Sequence, residues 1–127
     1  MCIRDRYWVV QMFSNNRGQQ VVGSRLTGAA AVKQVVTKTV QNGRTTLFVK
    51  IVNPTGQMQS ARLTFQGVST IDGTGTLTVL SGSPTARNTL AAPDTVAPAV
   101  RQITGLALSN HLAVPANSVI VLRVTGR

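Results

Sequence analysis

Residues 30–53 have the sequence AAVKQVVTKTVQNGRTTLFVKIVN, in which two runs rich in valine and threonine flank Asn42-Gly43. β-Branched residues favour strands, and an Asn-Gly pair between two such runs is the strongest short-range signal for a β-hairpin. The second run alternates so that Leu47, Val49 and Ile51 share one face. The stretch therefore predicts an antiparallel pair of strands with one apolar face.

Similar short patterns continue towards the C-terminus at intervals of about ten residues. Strands are expected at residues 61–67, 76–82, 99–108 and 118–126, with a weaker one at 68–71. Turns are expected at 53–56, 72–73 and 115–117, and loops at 19–29 and 83–98. Six to eight short strands with this spacing predict an all-β fold, an antiparallel β-sandwich.

The segment YWVVQMFSNNRG (7–18) has a different pattern. The pairs Trp8–Met12 and Val9–Phe13 are each four residues apart, as on one side of a helix, and the glycine at the end of the segment is a common helix terminator. We expect a short N-terminal helix here. A strand is the alternative, because the first four residues of the segment favour β-structure.

The chain is strongly basic, with 13 Lys and Arg against 3 Asp and Glu and a formal net charge of +10. Such a charge permits binding to nucleic acid or to anionic surfaces. The cations are scattered singly, however, and no basic run of five or more occurs, so we expect a solvated surface and no nucleic-acid partner. Because no run approaches the roughly 20 apolar residues of a membrane span, we expect no membrane partner either.

Few residues of this chain are of the types that carry chemistry. Beyond residue 6, the carboxylates are Asp72, in an Asp-Gly turn, and Asp94, in a Pro-Asp loop, and the single histidine is His111. A two-carboxylate hydrolytic site needs both acids beside the scissile bond, and a lone histidine makes neither a zinc site nor a catalytic triad. We therefore expect no catalytic, metal-binding or cofactor-binding residue.

The predicted sandwich contains two aromatic side chains. Phe65 alternates with Leu63 and is expected in the core, whereas Phe48 faces away from Leu47 and Val49 and could be exposed. Proteins that bind sugars or single-stranded nucleic acids stack their ligands on several rings. A single ring makes a poor platform, which argues against both kinds of binding module.

Four segments, in this order, resemble parts of glycoside hydrolase family 51, the α-L-arabinofuranosidases. They are YWVVQMFSNNRGQQVV (7–22), LFVKIVNPTGQMQSARLTFQG (47–67), RNTLAAPDTVAPAVRQITGL (87–106) and LAVPANSVIVLRV (112–124). The resemblance implies the C-terminal part of a retaining, exo-acting enzyme that releases terminal L-arabinofuranosyl residues from arabinan- or arabinoxylan-type polysaccharides. Residues 7–18 would be the last helix of its (β/α)8 barrel, and residues 19–127 a jelly-roll-like β-sandwich domain.

The resemblance also implies a partner for this domain. The catalytic acid/base and nucleophile of the family are glutamates on the barrel, and this chain contains no glutamate. No catalytic residue can therefore be carried over, and the chain alone is expected to be inactive. Five side chains of the helix would pack against the barrel or the sandwich: Tyr7, Trp8, Val9, Met12 and Phe13. The parent enzyme is expected to be a homo-oligomer.

The alternative is a free-standing basic β-sandwich module whose arginines bind an anionic polysaccharide. This alternative requires a basic patch on one face of a sheet. A structural protein of the phage or pilus type is a third possibility on fold alone, but it leaves the four ordered matches unexplained.

Residues 1–6, MCIRDR, have no counterpart in the resemblance. Read back into DNA, these residues fit ATG-TGT-ATA-AGA-GAC-AG plus one base, which looks like a transposon end used to build sequencing libraries. We therefore expect a non-native scar and exclude it from the fold prediction, with a genuine flexible N-terminus as the alternative. Cys2, the only cysteine, then carries no information about redox environment. A native segment without cysteine fits a cytoplasmic enzyme without requiring one.

Overall fold

The computed structural model describes residues 3–24, 31–83, 85–86, 88–92 and 95–127, with side chains from residue 7 onwards. Cys2 and Asp94 lie outside these ranges. The elements in chain order are α1 (Ile3–Asn15), β1 (Gln20–Val22), β2 (Lys33–Gln41), β3 (Arg44–Asn53), β4 (Gln59–Thr64), β5 (Ile71–Ser81), β6 (Ala99–Thr104), β7 (Ser109–Val114) and β8 (Ser118–Gly126). The prediction of an all-β fold preceded by a short helix is confirmed.

Two antiparallel sheets enclose the main core. The larger one has six strands in the order β1-β2-β3-β8-β5-β6, and the smaller one consists of β4 and β7. Alternate apolar residues of the central strands face the smaller sheet, among them Ile51, Leu77 and Ile120. Ala61 and Val114 face them from the smaller sheet. This arrangement is the predicted β-sandwich.

The β2–β3 hairpin forms at the predicted place. Its register runs from Lys33 opposite Val52 to Gln41 opposite Arg44. The two residues between the strands, Asn42 and Gly43, have φ angles of 54° and 75°. Positive φ at both positions is what a two-residue type I′ turn requires, which explains why asparagine and glycine stand here.

Four strand predictions differ from the structure. The weaker strand expected at 68–71 does not form, because β5 begins only at Ile71. β1 and β7 form where no strand was expected, and Asp72-Gly73 is not a turn between strands but lies inside β5. There, the pairing of β5 with β8 is interrupted by a bulge between Ile71 and Gly75. β1 is only three residues long, and β7 alternates polar and apolar residues in the order SNHLAV, so neither produces a strong strand pattern.

α1 is a helix and not the alternative strand. It begins at Ile3, four residues before the predicted start, and ends at Asn15. Just beyond it, the side-chain amide of Asn16 donates a hydrogen bond of 2.7 Å to the Met12 carbonyl, which pairs one of the carbonyls left free at a helix end. The helix therefore ends near its predicted terminus.

Gly18 joins α1 to the edge of the larger sheet. Its backbone amide donates to Thr37 Oγ1 at 3.1 Å, and the next amide, of Gln19, donates to the Lys38 carbonyl at 2.8 Å. A Cβ atom on Gly18 would collide with the backbone nitrogen of Lys38 and lie 2.7 Å from Thr37 Cβ. The backbone can approach this closely because the residue is glycine.

We expect Gly18→Ala to lower the free energy of unfolding by about 1–3 kcal/mol, because the new methyl group must displace backbone. Urea unfolding of the chain measures the effect. Gly23→Ala is the matched control, since a Cβ at Gly23 meets no atom within 4 Å. Equal unfolding midpoints for the two variants would contradict the prediction.

Candidate domain interface

Of the three residues that the sequence offered for chemistry, the structure describes Asp72 and His111, and it places them on different sheets. Asp72 forms an exposed ion pair with Arg44. His111 lies on β7, in the other sheet, where it is paired with Arg62 of β4 in the strand register. Among the residues the structure describes, no group of three or more His, Cys, Asp or Glu lies together as a metal site would require. No helix in the described part of the chain is long and apolar enough to cross a membrane.

A cleft of about 450 Å³ opens between the two sheets on the side of β6 and β7. Its floor is apolar and includes Leu63, Leu77 and Leu122, while Arg101 and His111 supply polar groups. Among the residues that the structure describes, no carboxylate lines this cleft. The described lining therefore contains no pair of acids of the kind that glycoside hydrolysis ordinarily uses.

The expectation that Phe48 could be exposed is wrong. Phe48 has a relative exposure of 8%, and the Arg123 guanidinium carbon lies 5.9 Å from the centre of its ring. Phe48 lies on the face of the six-stranded sheet turned away from β4 and β7, which we call the outer face. The long stem of an arginine can cover apolar surface of this kind. Phe65 packs against the main core, as predicted.

α1 packs on this outer face and forms a second, smaller core. Met12 has a relative exposure of 4% and contacts a buried cluster containing Leu80 of β5 and Val121 of β8. Trp8, Val9 and Phe13 are partly buried against the same cluster. Four of the five side chains expected to pack against the barrel or the sandwich thus contact the sandwich.

The opposite side of α1 carries two exposed apolar side chains beside polar Gln11 and Ser14. Tyr7 and Val10 have relative exposures of 54% and 62%, and their spacing of three residues places them on one side of the helix. A surface helix of a complete domain normally presents polar residues to solvent. Val10 was not singled out from the sequence, although its spacing from Tyr7 was the available signal.

Lys50 lies beside Phe48 on the outer face and is buried, with a relative exposure of 8%. Its ammonium nitrogen is 5.3 Å from the centre of the Phe13 ring, within the range of a cation–π contact. Burial and the nearby positive charge of Arg17 lower the pKa of the Lys50 ammonium below its ordinary value. Within the described residues, neither Lys50 nor Arg17 has an ion-pair partner.

The basic residues do not form one continuous face. Lys50 and Arg123 lie on the outer face of the larger sheet, whereas Arg101 lines the cleft. Arg62 lies on the smaller sheet. Of these four cations only Lys50 and Arg123 share a sheet face, and Lys50 is buried, so the polysaccharide-binding alternative, which needs a broad exposed basic face, is not supported.

Comparison with known proteins gives consistent matches. The family model described as the α-L-arabinofuranosidase C-terminal domain matches residues 2–118. No curated protein sequence matches the chain significantly.

Several solved structures share the fold. The arabinose-bound α-L-arabinofuranosidase MgGH51 is 31% identical with a TM-score of 0.86, and the match covers 97% of this chain but 19% of that enzyme. A thermostable family 51 α-L-arabinofuranosidase from Thermotoga petrophila RKU-1 is 18% identical, with a TM-score of 0.76, over 92% of this chain and 28% of that one. CelM2, a bifunctional glucanase-xylanase from a metagenome library, is 17% identical, with a TM-score of 0.71. The match covers 97% of this chain and 22% of CelM2. This chain therefore spans between 19% and 28% of the length of these enzymes.

Proposed function

The chain belongs to the α-L-arabinofuranosidase C-terminal domain family, and from that premise we propose that it supports the catalytic barrel of a parent enzyme without taking part in catalysis. Residues 7–18 are then the last helix of the barrel, and residues 19–127 are the sandwich that holds this helix. The observation that carries the proposal is α1, which buries Met12 against the sheet and leaves Tyr7 and Val10 exposed on its other side.

The support is mechanical. A barrel helix that is packed on both sides is fixed in position, and the catalytic residues of a (β/α)8 barrel stand on strand ends whose geometry depends on such packing. Exposed apolar side chains such as Tyr7 and Val10 would lose their contact with water when the barrel covers them, which favours association by about 25 cal/mol per Å² of apolar surface. The domain thereby stabilises the barrel without touching the substrate.

The proposed parent is a retaining glycoside hydrolase that releases terminal L-arabinofuranosyl residues and acts in the use of L-arabinose polymers. Support comes from the family match and from the 31% identity to the arabinose-bound enzyme. The likeness to CelM2 concerns the fold alone. The proposed substrate therefore rests on the family match and on the identity to the arabinose-bound enzyme. Hydrolysis by this class normally requires two carboxylates flanking the bond, and the chain has no glutamate, so we propose that it is inactive alone.

The origin of residues 1–6 is a separate proposal. We propose that MCIRDR is not native, on the codon match described above, even though α1 begins at Ile3. Amplification of the gene from its source DNA tests this, since a native segment would be recovered in frame with the same six codons.

A fusion tests the supporting role. The chain from residue 7 is placed after the barrel of MgGH51, in exchange for the matched C-terminal part of that enzyme. We expect the fusion to be soluble and to hydrolyse a synthetic arabinofuranoside, while the barrel without any C-terminal part aggregates and the chain alone shows no hydrolysis. Arabinose release by the purified chain, or undiminished stability of the shortened barrel, would refute the proposal.

A further inference from the structure

Three cationic side chains lie close to the C-terminal end of α1 on the outer face. Lys50 and Arg123 belong to the neighbouring strands β3 and β8, where Arg123 is paired with Phe48, two residues from Lys50. Arg17, just after the helix, precedes Gly18, whose amide donates to Thr37 opposite Phe48, and its charge contributes to the lowered pKa of the Lys50 ammonium. We call Arg17, Lys50 and Arg123 the basic patch.

The basic patch is electrostatically incomplete in this chain. Lys50 is buried beside an aromatic ring and a like charge, and a charge taken out of water is unfavourable unless it is paired. None of its three cations forms an ion pair within the part of the chain that the structure describes. Covering this region further without adding a negative charge would increase the penalty.

A second copy of the chain is a poor source of the missing charge, because the chain is itself strongly basic. The chain contains 3 acidic residues against 13 basic ones, and Asp72 is already paired with Arg44. Two basic patches brought together would repel each other. The complementary partner is therefore a surface that carries carboxylates.

The position of α1 indicates where that surface lies. In a (β/α)8 barrel, each outer helix has a neighbouring helix on either side. α1 lies over β5 and β8, and its Phe13 reaches Lys50 of β3, so a neighbour on that side would lie over β2 and the rest of β3, next to the basic patch. On this part of the outer face, Val21 and Val35 have relative exposures of 76% and 41%, and they offer apolar contacts to such a helix.

We propose that an acidic helix of the parent's barrel packs over β2 and β3 and that its carboxylates pair with Lys50 and Arg17. The inference rests on the proposed supporting function and names the chemistry by which the two domains recognise each other. The effect of the basic patch on stability should then differ between the two contexts. It destabilises the isolated chain, and it stabilises the assembly with the barrel.

Arg17→Glu in two contexts tests the inference. In the isolated chain, the new carboxylate relieves the repulsion on Lys50. We expect the folding equilibrium constant to rise about threefold, which is the effect of a typical exposed ion pair. In the fusion with the MgGH51 barrel, the same substitution repels the acidic helix, and we expect a lower melting temperature than for the unsubstituted fusion. The loss should shrink in 1 M salt, where the Debye length is about 3 Å.

Arg62→Glu is the matched control, because Arg62 is exposed on the smaller sheet. It should leave both the chain and the fusion nearly unchanged. Lys50→Met provides a second measurement: it should stabilise the isolated chain and destabilise the fusion. A fusion that is folded and active but gains stability from Arg17→Glu overturns this inference alone, whereas an unsubstituted fusion that gains nothing from the chain overturns the supporting function as well.

Discussion

Asn53→Ala is expected to lower the free energy of unfolding by about 4 kcal/mol, because a buried side chain with several hydrogen bonds is lost. Asn53 has a relative exposure of 1%. Its Nδ2 lies within hydrogen-bond distance of the carbonyl oxygens of Gln57 (3.0 Å), Val114 (3.3 Å) and Pro115 (3.0 Å). Its Oδ1 accepts from the backbone amide and the hydroxyl of Thr55, at 3.0 and 2.7 Å. Each buried partner left unpaired costs about 1–3 kcal/mol.

These contacts join parts of the sandwich that are far apart in sequence. Asn53 ends β3 in the larger sheet, and Val114 ends β7 in the smaller one. The turn after Asn53 is held further by a 2.9 Å hydrogen bond from the Asn117 amide to the Thr55 carbonyl. Loss of the Asn53 side chain therefore weakens the connection between the two sheets and not only one turn.

Asn53→Asp removes the hydrogen-bond donors of the Asn53 side chain while keeping its size, so it separates the loss of hydrogen bonds from the loss of side-chain volume. The carboxylate keeps the acceptor for Thr55 but faces three carbonyl oxygens, so its pKa in the folded state will lie above that in the unfolded chain. A raised pKa means that the folded state binds more protons than the unfolded state. The stability of the variant relative to wild type therefore falls as the pH rises above the pKa of the aspartate in the unfolded chain, which is about 4. Asn53→Asp should thus be more destabilised at pH 7 than at pH 3.5.

Urea unfolding at the two pH values measures both variants against wild type. Asn15→Ala, at an exposed position at the end of α1, is the control and should change stability by less than about 0.5 kcal/mol. If Asn53→Ala behaved like this control, the hydrogen bonds would not hold the sheets together.

Local patterns in the sequence predicted the local structure well. The hairpin follows from Asn42-Gly43 between two alternating runs, and the helix from the spacing of Trp8 and Met12. The importance of Asn53 could not be read in the same way, because the sequence shows only an Asn-Pro turn while the carbonyls of Val114 and Pro115 are more than 60 residues away. β7 was missed for a related reason, since its apolar side chains are recognised as core only once β4 is placed beside it.

The same distinction holds for the proposed interface. The shortage of acids and histidines is a property of composition and was visible at once. Lys50 is covered by Phe13 of α1 and Phe48 by Arg123 of β8, and both are contacts between distant parts of the chain. For this reason, the sequence predicted which residues of α1 are apolar but not which of them contact the sheet.

Met12→Asp should already destabilise the isolated chain, whereas Val10→Asp should be damaging only in the fusion. In the isolated chain, Met12→Asp places a carboxylate among Leu80 and Val121, and we expect a loss of about 4 kcal/mol or release of α1 from the sheet, as for other unpaired buried charges. Val10→Asp, on the exposed side of the same helix, should stay within about 0.5 kcal/mol of wild type. Urea unfolding followed by the fluorescence of Trp8, the only tryptophan, reports on the docked helix.

In the fusion with the barrel, Val10→Asp should become damaging as well, because Val10 is then covered. We expect a lower melting temperature and loss of arabinofuranoside hydrolysis, although no catalytic residue is altered. Equal effects of the two substitutions in the isolated chain would mean that α1 is not docked through Met12. If Val10→Asp remained harmless in an active fusion, the exposed side of α1 would not be the surface that the barrel covers, and the support would have to pass through another part of the sandwich.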